Sequence, residues 1–328
     1  MRIPATIPHF RPPNTHTPVL ANEVLSVLKL LQLNKKKDFF IVDGTAGCGG
    51  HSKLILNEFK TSKLLCIDRD PTNIPILQNT LSDFADRTYL ACDSFSNIPT
   101  ILDKMSLPSK VDSIFIDIGF NSRHIDEDNR GFSYSDKKSP LDMRYNQREG
   151  ATCADLVNHL DANDLMKIMN IYGDIDRSQS KFIANKIIKR RSRYPFETVG
   201  DLVDLLDNIL PYKQVATKER YNQIFQGFRI AVNKEFSHIE TLLSSLPSVL
   251  SPGGIFICIC FHSLEIKLLK KYVYNYTNIQ TLETDVYQIP TEIRTLKVLT
   301  HPPLTPSPRE IESNPRSKSA MLYAFQFL

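Results

Sequence analysis

The sequence is poor in glycine, has no long apolar stretch and has no closely paired cysteines of the metal-binding kind. Glycine occupies only 12 of the 328 positions. No apolar run reaches the roughly 20 residues needed to cross a bilayer, and the first twenty residues lack the apolar block of a secretory signal. The 6 cysteines include no CxxC pair, which argues against zinc and favours a reducing compartment over disulfides. We therefore expect a globular protein without a metal site or a membrane span.

The positive charge is modest but unevenly distributed. The formal net charge is +4, and 41% of the residues are hydrophobic, which is enough for a sizeable core. Lysines and arginines cluster at 35–37, 186–193 and 267–271. Each cluster could neutralise the phosphates of a polyanion or could lie on a solvated helix face, and charge alone leaves both interpretations open.

Short apolar runs alternate with amphipathic stretches from residue 38 to residue 117. The runs 38–43, 63–68, 87–91 and 111–117 are typical of strands, and the stretches between them are typical of helices. Such alternation predicts a parallel sheet covered by helices on both faces. The same rhythm returns with one helix across 220–246, a strand at 255–260 and two closing strands at 295–300 and 319–328.

The residues between these two parts show no strand pattern. Residues 123–150 are polar and rich in turn formers, and residues 151–212 have the pattern of consecutive helices. Helices without intervening strands indicate a separate helical module. We therefore predict a discontinuous α/β domain from residues 1–125 and 213–328, with an inserted loop and helical substrate-recognition domain at 126–212.

Four of the few glycines lie close together after the first predicted strand, at positions 44, 47, 49 and 50. A glycine-rich turn between a strand and a helix offers backbone N–H groups to an anionic group and lets a ligand approach closely. Asp68 ends the next predicted strand, where a carboxylate can accept hydrogen bonds from both hydroxyls of a ribose. The alternative is that the glycines serve chain reversal alone.

The ligand that suits these residues is S-adenosylmethionine. Ser52 occupies the position of the third glycine in the dinucleotide-binding pattern, which argues against a nicotinamide cofactor. S-adenosylmethionine has a ribose but no pyrophosphate, and its amino-acid end suits the glycine loop. Its positively charged sulfonium suits the carboxylates of Asp43 and Asp117, which end two apolar strands.

The order of the motifs resembles the MraW family of small-subunit ribosomal RNA cytidine N4-methyltransferases, which includes a mitochondrial branch. The segments that carry the resemblance are HTPVL (16–20), DGT (43–45), GGHS (49–52), DRDP (68–71), DIG (117–119), RGFS (130–133), PLDMR (140–144) and FHSLE (261–265). The resemblance implies a class I S-adenosylmethionine-dependent methyltransferase (Rossmann-like) α/β fold with an inserted helical domain. It also implies N4-methylation of a cytidine in the decoding region, with small-subunit ribosomal RNA or the assembling subunit as partner.

The resemblance implies a set of site residues as well. The cofactor contacts implied are Gly49, Gly50, His51, Asp68, Phe95, Asp117 and His124. The catalytic candidates are Asp117, Asn121 and His262, and the RNA-binding candidates are Arg130, Arg144, Arg190 and Arg191. The chain departs from the family pattern at Asn121, where serine is usual, and at His124, where glutamine is usual.

Several of these residues also have a structural interpretation. Phe95 could be an ordinary core aromatic, and His51 could simply begin a helix. His262 could cap the helix that follows the strand at 255–260, and Arg144 could pair with Asp142 within its loop. The sequence leaves each pair of interpretations open.

Two other functions remain open at this stage. The chain could be a ribosome-assembly factor that binds RNA with weak or no methyl transfer, or a methyltransferase for another base. We expect a bacterial cytoplasm rather than a mitochondrial matrix, since the proline-rich start has no clear amphipathic helix. The oligomeric state is open, and a homodimer is among the alternatives.

Overall fold

The computed structural model describes residues 18–34, 38–119, 123–124, 129–210, 214–282 and 296–328. Seven strands form one sheet: β1 (Phe40–Asp43), β2 (Lys63–Asp68), β3 (Thr88–Cys92), β4 (Val111–Asp117), β5 (Leu250–Cys260), β6 (Leu296–Val298) and β7 (Met321–Phe327). Their order in the sheet is β3-β2-β1-β4-β5-β7-β6. Strands β1 to β5 are parallel, whereas β7 runs antiparallel to both of its neighbours.

The helices fall into two groups along the chain. Those that pack around the sheet are α1 (Ala21–Leu28), α2 (Gly50–Glu58), α3 (Asn73–Thr80), α4 (Ile98–Lys104), α10 (Glu235–Val249), α11 (Ser263–Leu282) and α12 (Pro308–Ser313). The second group lies between β4 and α10 in the chain and consists of α5 (Cys153–His159), α6 (Ala162–Lys167), α7 (Arg177–Arg191), α8 (Val199–Ile209) and α9 (Gln214–Asn233). Within the described residues, no helix is both long and apolar enough to span a bilayer.

Each face of the sheet carries its own hydrophobic core. Ile114 and Ile116 pack on one face with Leu242 of α10, whereas Phe115, between them in β4, packs on the other face with Ile55 of α2. Successive side chains of a strand point to opposite faces, so a strand covered on both sides is mainly apolar along its whole length. This arrangement and the strand order confirm the expected class I methyltransferase fold.

A third hydrophobic core lies within the helices that follow β4. It contains Met143, Ile183, Phe196, Ile224 and Phe228, all of them buried. The last two belong to α9, which the sequence-based division assigns to the sheet domain. The division into residues 1–125 with 213–328 and the insertion 126–212 remains a prediction.

The single helix predicted across 220–246 is wrong, because the structure has two helices there. Lys234 separates α9 from α10 in a left-handed backbone conformation with φ of 51°. The buried ion pair of Arg229 and Glu235 spans this break, with nitrogen–oxygen distances of 2.8 and 3.0 Å. The hydroxyl of Tyr145 donates to the same carboxylate at 3.0 Å, so the joint between the helices is also tied to the loop before α5.

Candidate active site

The loop between β1 and α2 lies at the carboxyl edge of the sheet. The N–H of Gly44 donates to the carbonyl of Phe115 at 2.8 Å. A Cβ at Gly44 would lie 2.8 Å from Ile116 and 2.9 Å from Phe95, so only glycine fits between β4 and the turn after β3. Gly49, with φ of 89°, precedes the first residue of α2 in the left-handed region. The N-terminus of α2 therefore faces the region where an anionic group is expected.

The two glycines predicted to contact the cofactor are also packed against this chain. A Cβ at Gly49 would lie 3.0 Å from Leu77, and a Cβ at Gly50 would lie 2.9 Å from Pro18. Close packing within the protein is therefore sufficient to explain glycine at both positions. The groups that remain directed at a ligand are the first N–H groups of α2, which have no acceptor inside the helix.

Asp68 holds the glycine loop in place. Its Oδ2 accepts a hydrogen bond from the N–H of Gly47 at 2.7 Å, and its Oδ1 accepts from the N–H of Asp70 at 2.8 Å and from Asn73 at 3.1 Å. Burial raises the pKa of Asp68 although these hydrogen bonds lower it. Each carboxylate oxygen has two acceptor positions, so Oδ2 has one position left for a ribose hydroxyl, and the contact with both hydroxyls remains a prediction.

Three buried carboxyl groups near the ends of β1, β4 and β5 have raised pKa values. Burial raises the pKa of Asp43 to about 6, although Ser52 donates to it at 2.6 Å. Burial raises the pKa of Glu265 to about 7, although the N–H groups of Phe261 and His262 donate to it at 2.8 and 3.1 Å. The pKa of Asp117 lies well above its usual range because of burial and the charges of Asp43 and Glu265.

Asp117 is the member of this group with unused acceptor capacity. Its N–H donates to the hydroxyl of Thr45 at 2.7 Å, which fixes the end of β4 against the glycine loop. Its Oδ1 is enclosed and accepts no hydrogen bond from the residues that the structure describes. A buried acceptor without a donor is costly. A ligand that supplies a positive charge or an N–H would relieve that cost, so the residues fit the sulfonium and amine expected here.

Phe95 lies in the turn after β3, and a histidine from a distant helix fixes that turn. Nδ1 of His238 in α10 lies 3.0 Å from the hydroxyl of Ser94 and 2.8 Å from that of Ser96. Burial lowers the pKa of His238 to about 4, with the positive charge of Arg69 adding to the effect, so its ring is neutral and hydrogen-bonds to the two hydroxyls in a direction set by its tautomer. No pattern along the chain indicates this contact, since Ser96 and Ser94 lie 142 and 144 positions from His238.

Two of the predicted site histidines have structural contacts. Nε2 of His51 lies 2.8 Å from the carbonyl of Val19, and its ring packs on Phe115 with centroids 4.7 Å apart. Nδ1 of His262 accepts from the N–H of Leu264 at 3.2 Å, so this histidine caps the start of α11. The structural interpretation of His262 is thereby observed, and the cofactor contact of His51 remains a prediction.

His124 lies in a buried cluster beside the start of the β2–α3 connection. Its Nε2 lies 2.9 Å from Oδ2 of Asp70, which Arg130 also contacts at 2.9 Å. The rings of His124, Phe132 and Tyr145 form a triangle with centroid distances of 5.2, 5.3 and 5.6 Å. Burial alone would raise the pKa of Asp70, but hydrogen bonds from His124 and its other donors outweigh burial and lower it. The cluster attaches the loop before α5 to the sheet.

The four arginines predicted to bind RNA all make contacts within the protein. Arg130 is 5% exposed and pairs with Asp70, so its side chain is not open to RNA in this conformation. Arg144 binds both oxygens of Asp142, at 2.7 and 2.9 Å, which is the loop scaffold that the sequence offered as the alternative.

The other two arginines of the set are similarly engaged. Arg190 pairs with Asp201 at 2.7 Å and lies over the ring of Phe196 at 4.2 Å from its centroid. Arg191 donates to the carbonyls of Val157 and Leu160, both at 2.7 Å, and so caps the C-terminal end of α5. Sequence clustering of positive charge therefore did not distinguish solvent-facing cations from those used inside the helical module.

Two further expectations for this site concern Asn121 and a metal ion. Asn121, a catalytic candidate, lies outside the described residues. Among the described residues, no group of three or more histidine, cysteine, aspartate and glutamate side chains could hold a metal ion.

Comparison with known proteins gives a consistent result over nearly the whole chain. Residues 13–328 match the model of the MraW methylase family. The chain is 36% identical over 309 residues to the ribosomal RNA small subunit methyltransferase H of Mycoplasmopsis synoviae, covering 94% of this chain and 97% of that protein. It is 34% identical over 308 residues to the protein of that name from Dictyoglomus thermophilum, covering 94% and 95%. An rRNA methylase from Streptococcus thermophilus superimposes with a TM-score of 0.38 at 11% identity, covering 93% of this chain and 96% of that one.

Proposed function

Because the chain belongs to the MraW methylase family, we propose that it transfers the methyl group of S-adenosylmethionine to the N4 amine of a cytidine in the decoding region of small-subunit ribosomal RNA. The relatives named ribosomal RNA small subunit methyltransferase H support the RNA substrate. The family resemblance carried by RGFS, PLDMR and FHSLE supports the cytidine amine as the acceptor. The bacterial cytoplasm is the compartment that we propose with this activity.

The observation that carries the proposal is the enclosed Oδ1 of Asp117, which has no donor among the described residues. Burial, together with the charges of Asp43 and Glu265, holds the pKa of Asp117 well above its usual range. A positive charge placed beside these groups favours their ionised forms. An ionised Asp117 would then accept a hydrogen bond from the amine of a cytosine.

When bound, S-adenosylmethionine supplies an activated methyl group on a positively charged sulfur. The residues of this chain contribute mainly by alignment, since a displacement of this kind requires the attacking amine, the methyl carbon and the sulfur to lie in line. Asp68 and the loop at 43–50 orient the ligand at one end, and Asp117 orients the amine at the other. An acceptor at the amine hydrogens also favours a pyramidal nitrogen, whose lone pair is less delocalised into the ring.

The target base must leave its stack to reach Asp117, as in other enzymes that modify bases. We expect the loop before α5 and the helical core beside it to form the walls of a cleft around that base. The buried contacts of Arg130 with Asp70 and of Tyr145 with Glu235 hold that loop against the sheet. A fixed loop keeps water out of the cleft once the base is in place.

Deletion of the gene followed by mapping of N4-methylcytidine in the small-subunit RNA tests the proposal. We expect one modified cytidine to disappear and to return when the wild-type gene is restored. Purified protein with S-adenosylmethionine should modify small-subunit RNA from the deletion strain. An unchanged modification in the deletion strain would reject the proposed function.

Variants of Asp117 test the active site separately. Asp117→Ala should reduce the rate at saturating S-adenosylmethionine by 100-fold or more, on the order of the loss of one transition-state contact. Asp86→Ala removes an exposed carboxylate of the sheet domain and serves as the matched control. If Asp117→Ala restored the modification in full, the assignment of Asp117 to the active site would be wrong.

A further inference from the structure

Helix α7 has one face in the helical core and the other in solvent. Ser180, Ile183, Ala184 and Ile187 are buried, and the three last of these pack in the helical core. Phe182, Asn185 and Lys189 are exposed. Their spacing of three, four and seven residues places them on one side of the helix, opposite the buried residues.

The exposed side of α7 and the residues after it carry only positive charge. Its cations are Arg177, Lys181, Lys186, Lys189 and Arg193. No aspartate or glutamate occurs from 177 to 196. None of these five cations forms an ion pair within the part of the chain that the structure describes, whereas Arg190 on the same helix pairs with Asp201. We call this set of cations, together with Phe182 and Tyr194, the α7 face.

Two large aromatic side chains lie among these cations. Phe182 is 46% exposed and Tyr194 is 69% exposed. Nζ of Lys186 lies 5.1 Å from the centre of the Phe182 ring. Helix α7 rises about 14 Å from Phe182 to its end at Arg191, at about 1.5 Å per residue, and Tyr194 lies three residues beyond that end. A rise of about 14 Å matches about four stacked nucleotides at about 3.4 Å each.

We propose that the α7 face binds a single-stranded segment of the substrate RNA, away from the base that is methylated. Lysines and arginines would neutralise its phosphates, and bases would stack on the exposed rings of Phe182 and Tyr194. Sites for single-stranded nucleic acid combine these two features, because every base has a flat face and every linkage has a charge. A duplex would offer the phosphates but not the base faces. The inference rests on the proposed function and adds a second contact to it.

Two classes of variant separate the charge from the stacking. Lys186→Glu with Lys189→Glu should weaken binding of small-subunit RNA and reduce the slope of log affinity against log salt by about 1.4, since each single-strand phosphate contact contributes about 0.7. Phe182→Ala with Tyr194→Ala should weaken RNA binding about tenfold or more but leave the salt slope unchanged. Lys60→Glu, an exposed lysine of the sheet domain, is the control for a change of charge elsewhere.

The measurements are filter binding of small-subunit RNA at several salt concentrations, methylation kinetics, and calorimetry with S-adenosylmethionine. In both double variants we expect KM for RNA to rise, while kcat and the Kd for S-adenosylmethionine stay at wild-type values. Equal RNA affinity and equal salt slope in wild type and variants would overturn the inference. Loss of binding to a ribosomal protein, with RNA binding unchanged, would overturn it equally.

Failure of the proposed function gives a different result. If wild-type protein binds small-subunit RNA through the α7 face but transfers no methyl group, the double variants still weaken binding and this surface stands. If wild-type protein methylates the RNA and the variants keep its KM, the proposed function stands and this surface does not.

Discussion

The three buried carboxyl groups predict that S-adenosylmethionine binds more tightly as the pH rises from 6 to 8. A carboxyl group with a raised pKa is protonated below that pKa and ionised above it. A cation attracts only the ionised form, so its binding releases protons. The effect should come chiefly from Glu265, whose pKa is raised to about 7, and in part from Asp43, whose pKa is raised to about 6.

The raised pKa values of Glu265 and Asp43 set the size of the effect. If binding requires ionised Glu265, the apparent affinity is reduced about 11-fold at pH 6 and about 1.1-fold at pH 8, a change of about tenfold or about 1.4 kcal/mol. The same reasoning for Asp43 adds about a twofold change over this range. We therefore expect the Kd to fall by about ten- to twentyfold between the two pH values.

Calorimetry at several pH values tests this prediction, with S-adenosylhomocysteine as the control ligand. That molecule has the same adenosine and amino-acid ends but a neutral sulfur, so titration of the shared groups cancels in the ratio of the two Kd values. Glu265→Gln should reduce the change in this ratio to the roughly twofold share of Asp43. A ratio that stays constant from pH 6 to pH 8 would refute the reasoning.

Three further predictions concern contacts outside the three buried carboxyl groups. Arg229→Met should lower the free energy of unfolding by about 3–5 kcal/mol, because it leaves Glu235 buried without its ion-pair partner. Adding Glu235→Gln should recover part of that loss, as measured by urea denaturation. Additive losses from the two substitutions would contradict this reasoning. Gly131→Ala should lower the thermal midpoint more than Gly150→Ala, since both have φ of 79° but a Cβ meets a backbone carbonyl only at the first. His238→Leu should weaken S-adenosylmethionine binding about tenfold. His238→Asn, which keeps an acceptor, should retain most of the wild-type affinity. Equal Kd values for the two variants would contradict the assigned contact.

The sheet was predictable because its strands are buried on both faces. Runs such as 255–260, which lies within β5, are apolar at every position, a pattern that few other structures require. The edges of elements were less predictable. Strand β5 begins at Leu250 rather than at 255 and passes through a register irregularity opposite β4. The break at Lys234 has no sequence signal, since lysine rarely adopts the left-handed conformation.

The carboxylates of the site were predictable in part, and its supporting contacts were not. Asp117 and Asp68 end apolar strands, so the edge of the sheet brings them together. Glu265 lies three residues after His262, the spacing at which an acid caps a helix start, and that signal could have identified it. The contact of His238 with Ser94 depends on how α10 lies on the sheet, which a pattern along the chain does not specify.

The ion pair between Arg229 and Glu235 has a consequence for how substrate enters. The pair spans the break at Lys234, where the helical core and the sheet meet. Swinging one lobe away from the other would separate the two charges where little water can reach them, at a cost comparable to the loss of a buried partner. We therefore expect the two lobes to stay together during the proposed reaction, so that the bending needed to seat the base falls on the RNA. Such an enzyme works best while the ribosomal strand is still pliable, before neighbouring helices and proteins lock it in place.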